Sequence, residues 1–168
     1  MKQVGKKKMI FFFSPDNYLS QWYPCHFVID NITFTSAEQW MMYAKALLFQ
    51  DVESANTILS ITSSKMQKQI GQAVRNFDET IWDNNKKKIV FKGNYAKFSQ
   101  NAELKKSLLS TKDKVLAEAS PYDKVWGIGL SMDDEMRFNM AKWRGKNLLG
   151  EVLMAVRKAL KEQSKLSY

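Results

Sequence analysis

Apolar residues fall along this chain at two spacings, and the switches between them mark its elements. MIFFF (9–13) is a short continuous apolar run, which reads as a buried strand stopped by the turn formers SPDN. FVIDNITF sets two apolar pairs around Asp30 and Asn31, a β-hairpin whose central residues tolerate left-handed backbone angles. TSAEQ opens a helix through a capping box, either Thr35 with Glu38 or Ser36 with Gln39, and the helix is expected to run to about Phe49. Further helices are expected over VESANTILS, SKMQKQIGQAVRNF, DETIWDNNKKKIVFKGNYAKFS and NAELKKSLLST, with Asn101 capping the last. VLAEAS (115–120) and VWGIGLS (125–131) read as strands separated by PYDK, with Gly127 and Gly129 marking close approach or special backbone angles. SMDDEMRFNMAKWRG is polar and loop-like, and NLLGEVLMAVRKALKEQ carries Leu149, Val152, Leu153, Val156 and Leu160 at helical spacing. The sum is an α+β domain, predominantly helical with a small antiparallel β component, over 10–162, between a basic N-terminal tail (1–9) and a C-terminal tail (163–168).

One helix breaks its own pattern. From Trp40 to Phe49 every residue but Lys45 is apolar or aromatic, too greasy for a helix lying half in water. Glu38 stands seven residues before Lys45, nearly two turns, so both side chains project from one face about 10 Å apart. A ligand lying along that face could touch both. Removing an ammonium from water disfavours its charged form, and a neutral amine attacks carbonyl-like carbon, including the aldehyde carbon of an opened sugar. Two blander readings stand beside this one: Lys45 can lay its stem along the helix and send its charge to the surface, and Glu38 can serve the cap and the helix dipole.

Composition narrows the class. The 168 residues suit one domain, 45% hydrophobic and 26% charged, with no apolar run near the roughly 20 residues of a membrane span. MKQVGKKKMIFFF lacks the length and cleavage site of a secretory signal. One cysteine, Cys25, and one histidine, His26, exclude an internal disulfide framework and a structural zinc set; adjacent residues on a strand face opposite ways, which disfavours a Cys–His catalytic pair. A reducing compartment follows, cytoplasmic or nuclear. The net charge of +9 favours anionic partners, phosphate-bearing ligands or nucleic acid. Lys2, Lys6, Lys7 and Lys8, however, lie in the expected tail, and Lys86-Lys87-Lys88 can be a solvated helix face. In EASPYDKVWGIG, Asp123 either meets sugar hydroxyls or shapes the turn, and Trp126 either stacks on a base or is core.

The ordered set SPDNYLSQWYPCHFVIDNITFTSAEQWMMYAKALLFQD, GQAVRNFD, KFSQNAEL, LLST, EASPYDKVWGIGLS and WRGKNLLGEVLMAVR resembles the NADAR, or YbiA-like, family, from Phe13 to about Leu160. The resemblance implies a compact helix-rich α+β fold and an N-glycosidase acting on ribosylated bases, cleaving ADP-ribose from guanine or phosphoribosylamino intermediates of riboflavin synthesis. The family lysine falls on Lys45, where it implies a Schiff base with C1 of the ribose, and the accompanying glutamate on Glu38. Ser20, Trp22, Asp123, Trp126, Gly127, Asn147 and Gly150 match recurring family positions. Two positions depart: Gln72 stands where many relatives carry arginine, and Gln21 where many carry asparagine. If that arginine binds phosphate, Lys68 or Arg75 has to take its place.

The expected reaction is removal of ADP-ribose from the guanine amino group, in nucleic acid or nucleotide, with Lys45 as nucleophile and Glu38 or Asp123 moving protons. It requires no metal or redox cofactor. The expected partner is an ADP-ribose-bearing nucleotide or nucleic acid, with no membrane, and a monomer is favoured. The alternatives are a glycosidase for riboflavin precursors and a non-catalytic basic module that binds strands through lysines and aromatics.

Overall fold

The computed structural model describes residues 8–166; residues 1–7 of the expected basic tail and 167–168 of the expected C-terminal tail lie outside them. Its elements, in order, are β1 (Met9–Phe12), β2 (Phe27–Ile29), β3 (Ile32–Phe34), α1 (Ala37–Leu48), α2 (Val52–Ser60), α3 (Ser64–Gln72), α4 (Glu79–Ser99), α5 (Ala102–Ser110), β4 (Val115–Glu118) and α6 (Leu148–Lys165). Two short 3-10 turns, Glu135–Phe138 and Met140–Lys142, interrupt the segment expected as loop. The backbone packs as two compact units, Gln21–Ala102 and the flanking segments through Ser20 and from Glu103.

In the unit Gln21–Ala102, α1 packs against α2, α3 and α4. Its hairpin is the antiparallel component expected from the sequence, pairing Phe27 with Phe34 and Ile29 with Ile32. Asp30 and Asn31 at its turn have φ of 50° and 64°, the left-handed angles that a tight hairpin needs. Phe34 packs edge-on to Trp40 at 5.3 Å between ring centroids, and the Trp40 indole N–H donates to the Ile89 carbonyl at 2.7 Å. Gly93 lets α4 come this close: a Cβ there would overlap the Trp40 ring.

The other unit holds β1, β4 and α6. β1 pairs with β4 in parallel, Met9 with Val115 through Phe12 with Glu118, a pairing across a long connection that alternation in either strand alone cannot reveal. Leu149, Val152, Leu153, Val156 and Leu160 are all buried, as their helical spacing predicts, and α6 continues through Lys165 into the stretch expected as tail.

The expected strand over 125–131 does not form. Gly129 has φ of +70°, outside the extended region, and the carbonyls of Lys124, Val125, Trp126, Gly127 and Ile128 accept from backbone N–H groups of 144–149 instead of a strand partner. Ile128, Leu130, Ala117 and Ala119 form the local core, with Phe11 and Trp143 packed on it.

Candidate active site

The chain enters α1 through Ser36, whose hydroxyl accepts the Gln39 backbone N–H at 3.0 Å. Of the two possible caps, Ser36 is the one used. Gln39 folds its side chain back, accepting from the Thr35 N–H at 2.8 Å and donating to the carbonyls of Ile58 and Ile61 at 3.2 Å. The neighbouring Glu38 therefore closes no capping box. It is buried, 6% exposed, in the first turn of α1.

Lys45 is 9% exposed, so its charge does not reach bulk water in the way a snorkelling lysine does. Its Nζ lies 4.8 Å from the centroid of the Phe77 ring and 5.2 Å from that of Trp82. Burial lowers its pKa from the usual lysine range, and the Glu38 carboxylate opposes that shift by stabilising the ammonium. The field of Glu38 reaches Lys45, in keeping with their placement on one face of α1. Burial outweighs the charge. An amine so placed is neutral more often at a given pH than an exposed one, and a carboxyl on the same helix exerts its field on it; an amine and a proton-carrying group are the two parts that covalent amine chemistry needs.

Phe77 and Trp82 are missing from the sequence-derived site. Phe77 lies in the turn between α3 and α4, whereas the sequence reads it as the end of the helix SKMQKQIGQAVRNF, and Trp82 lies in the first turns of α4. Nothing in local spacing ties them to Lys45. The signal that could have found them is GQAVRNFD itself, a motif in which an aromatic precedes a capping Asp78, whose carboxylate accepts the Ile81 N–H at 2.9 Å.

The remaining candidates divide between the two units. Trp22 is half-buried in the unit that holds Glu38 and Lys45, whereas Ser20, Asp123, Trp126, Gly127, Asn147 and Gly150 belong to the other. There, one Asp123 carboxylate oxygen accepts the backbone N–H groups of Val125 and Trp126 at 2.9 and 2.8 Å, which shapes the turn. Asn147, at φ 54° before α6, staples the β4 backbone by accepting from the Glu118 N–H at 3.1 Å and donating to the Leu116 carbonyl at 2.9 Å. Gly150 and Gly127 sit where a Cβ would collide with the Leu116 carbonyl and with those of Asp123 and Glu118, respectively. Each of these has an architectural task in its own unit. Of the two cations expected in place of the missing arginine, Arg75 is engaged by Asp51 and Glu53, and Lys68 is exposed on α3.

A groove of about 430 Å³ lies along the other side of α1, lined by Trp40, Tyr43, Ala44 and Leu47 with Lys88 and Lys92 from α4. At 100° per residue this stripe is roughly half a turn round the helix from Glu38 and Lys45, and neither of them lines the groove. Among the described residues no helix is long and apolar enough to cross a membrane, and no group of three or more His, Cys, Asp and Glu could hold a metal ion.

A family model described as the NADAR domain matches residues 10–161. N-glycosidase R617 of Acanthamoeba polyphaga mimivirus is 47% identical over 143 residues, 82% of this chain and 84% of that protein. Riboflavin biosynthesis protein VVA0006 of Vibrio vulnificus is 27% identical over 158 residues, 92% of this chain but 39% of that protein. The NMR structure of the Escherichia coli protein YbiA matches with a TM-score of 0.78 at 26% identity, covering 99% of this chain and 92% of that one. YbiA, like R617, is named an N-glycosidase, so relatives on both sides of 30% identity are hydrolases of N-glycosyl bonds. With the model match over 10–161 and the relative at 47% identity, the chain belongs to the NADAR domain family.

Proposed function

We propose that this chain is a hydrolase of N-glycosyl bonds that removes ADP-ribose from ADP-ribosylated guanine, in nucleotide or nucleic acid, through an imine on Lys45. The observation that carries the reading is the buried amine of Lys45 beside Phe77 and Trp82, its charged form disfavoured by burial, with Glu38 on the same helix face. The neutral Nζ attacks C1 of the ribose as the ring opens. Glu38, the carboxyl whose field reaches the amine, passes protons to the ring oxygen and to the departing base nitrogen. Water then hydrolyses the imine and restores the free amine. Asp123 stays with its turn in this account, because one of its oxygens is already taken by two backbone N–H groups.

The net charge of +9 supports an anionic substrate such as a diphosphate-linked nucleotide. A second reading, cleavage of phosphoribosylamino intermediates of riboflavin synthesis, is favoured by the Vibrio relative's name and keeps the same bond and the same lysine. Product analysis separates them. Incubation with ADP-ribosylated guanosine, free and within an oligonucleotide, is expected to release ADP-ribose. Release from the riboflavin precursor alone would move the substrate to the second reading, and no release from either would refute both.

A further inference from the structure

Phe77 is half-exposed, 47%, yet its backbone is braced on both sides. Two residues earlier, the Arg75 backbone N–H donates to Asp51 Oδ2 and its guanidinium Nη2 to Asp51 Oδ1, each at 3.0 Å. One residue later, Asp78 caps α4. Asn76 between them takes a left-handed φ of 60°, turning the chain so that Phe77 comes back toward α1, where its ring lies 5.3 Å from that of Phe49. Asp51 is the anchor. It is 1% exposed at the start of α2, and its carboxylate also takes the Ser54 N–H at 3.1 Å and the Ser54 hydroxyl at 2.7 Å. A helix cap needs one oxygen and one N–H; this one gathers four donors, two of them from a loop more than twenty residues away. The loop so tied is the one that carries the ring over Lys45.

We propose that Asp51 and Arg75 form a positioning device for Lys45: by pinning the 73–78 turn they hold Phe77 as the wall that shuts water away from the amine. Asp51 touches no reacting atom in this account and acts through Arg75 and Phe77. Phe77 has two opposite effects on the amine, since its ring face attracts the ammonium while its bulk removes water. Burial is the larger influence on Lys45, so the bulk should dominate. Of the other charges near the turn, Arg75 pairs with Asp51 and Glu53, Lys86 of α4 pairs with Asp83, and Asp78 and Glu79 stand at the α4 N-terminus, where Asp78 is the cap; Glu38 is the charged group whose field acts on Lys45.

The inference rests on the reading of Lys45 as the nucleophile, but its test needs no substrate. Competitive trace acetylation of the whole protein, with the Lys45 peptide followed by mass spectrometry against pH, gives the midpoint for that amine. In Phe77→Ala the midpoint is expected to rise by at least about half a pH unit, which lowers labelling roughly threefold at a fixed pH below it. Phe77→Leu keeps the cover without the ring and should leave the midpoint at or below that of the parent. Arg75→Ala should raise it in the same direction, and Arg75→Lys should restore most of the parent profile. The Arg75 side chain is 64% exposed, so its replacements are expected to keep the fold, which circular dichroism checks, even if Asp51→Asn does not. Adding Arg75→Ala to Phe77→Ala should change nothing further, because both act through one ring. An Arg75→Ala profile that superimposes on the parent, or a shift undiminished in the Phe77→Ala background, overturns the proposal. A Lys45 midpoint that moves as expected in a protein with no glycosidase activity refutes the proposed function and leaves the positioning device standing.

Discussion

Two buried lysines of the unit Gln21–Ala102 share a lowered pKa and differ in what surrounds them. Lys97 is fully buried, with its Nζ 5.0 Å from the centroid of the Phe98 ring and 5.5 Å from that of Tyr23, and burial brings its pKa down to about 8 against an opposing pull from Cys25. Lys45 is lowered by the same cause and is likewise set against two rings. The lowered pKa alone therefore chooses neither. Their surroundings do: Lys45 lies under a half-exposed ring with an acid on its own helix face, whereas Lys97 is sealed, with a thiol that is itself pushed up by burial. A nucleophile needs a neutral amine, a way in and a proton carrier. Lys45 has a lowered pKa and an acid whose field reaches it, and the proposed function assigns it the nucleophile's role on that basis.

The comparison is most sharply tested by exchanging the lysines' fates. Lys45→Ala is expected to lower turnover of ADP-ribosylated guanosine by at least about a thousandfold, as loss of a covalent nucleophile does. Lys97→Met should leave adduct formation on Lys45 in place, which peptide mapping after reduction would show. A smaller loss follows from the acid. Glu38→Gln should reduce kcat by roughly a hundredfold or more. It should at the same time lower the Lys45 pKa further, because the carboxylate is what holds it up. Imine formation with a simple aldehyde would then persist at lower pH while glycoside cleavage falls.

Stability provides two weaker but signed tests. The unfolded chain binds a proton at residue 97 up to the usual lysine value of 10.5, the folded chain only to about 8. Between those values the unfolded state holds more protons, so Lys97 should make stability rise with pH, by no more than about 3 kcal/mol. Urea midpoints from pH 7.5 to 10.5 would show this slope in the parent and lose it in Lys97→Met. Asp51 has the acid counterpart. The Arg75 backbone N–H first, then the Ser54 hydroxyl, hold its carboxyl well below the usual carboxylate range. Its stabilising contribution is complete above the unfolded value of 3.8 and is lost as pH falls below that toward the folded value. Acid titration of Asp51→Asn, if it folds, should lack that part of the transition. The smallest effect is expected at Asp123→Asn, which keeps an acceptor for the Val125 and Trp126 N–H groups and should cost less than about 1 kcal/mol and little activity.

How much of this the sequence discloses depends on how local each cause is. The lone lysine of a greasy helix and the acid seven residues before it are features of one element, and helical geometry alone places them together. Helix α6 is legible for the same reason, five apolar positions at one spacing. The hairpin at Asp30-Asn31 is legible because its turn chemistry is local. What fails is what depends on distant partners. VWGIGLS looks like a strand, but its carbonyls are claimed by residues 144–149 and Gly129 leaves the extended region. The parallel match of β1 to β4 joins residues about a hundred positions apart. Phe77 meets Lys45 from a turn whose Arg75 is bonded to Asp51 twenty-four residues earlier, and no periodicity records either contact. The bonds of Asn147 to the β4 backbone are likewise long-range and leave no mark in local spacing.

The central claim, that Lys45 is the covalent nucleophile, is tested most directly by borohydride reduction during turnover of ADP-ribosylated guanosine, followed by peptide mass spectrometry. The account predicts a reduced ribose adduct on the peptide containing Lys45, absent without substrate and absent in Lys45→Ala. An adduct confined to Lys97 or another lysine, or a Lys45→Ala protein that cleaves the substrate at the parent rate, would contradict it.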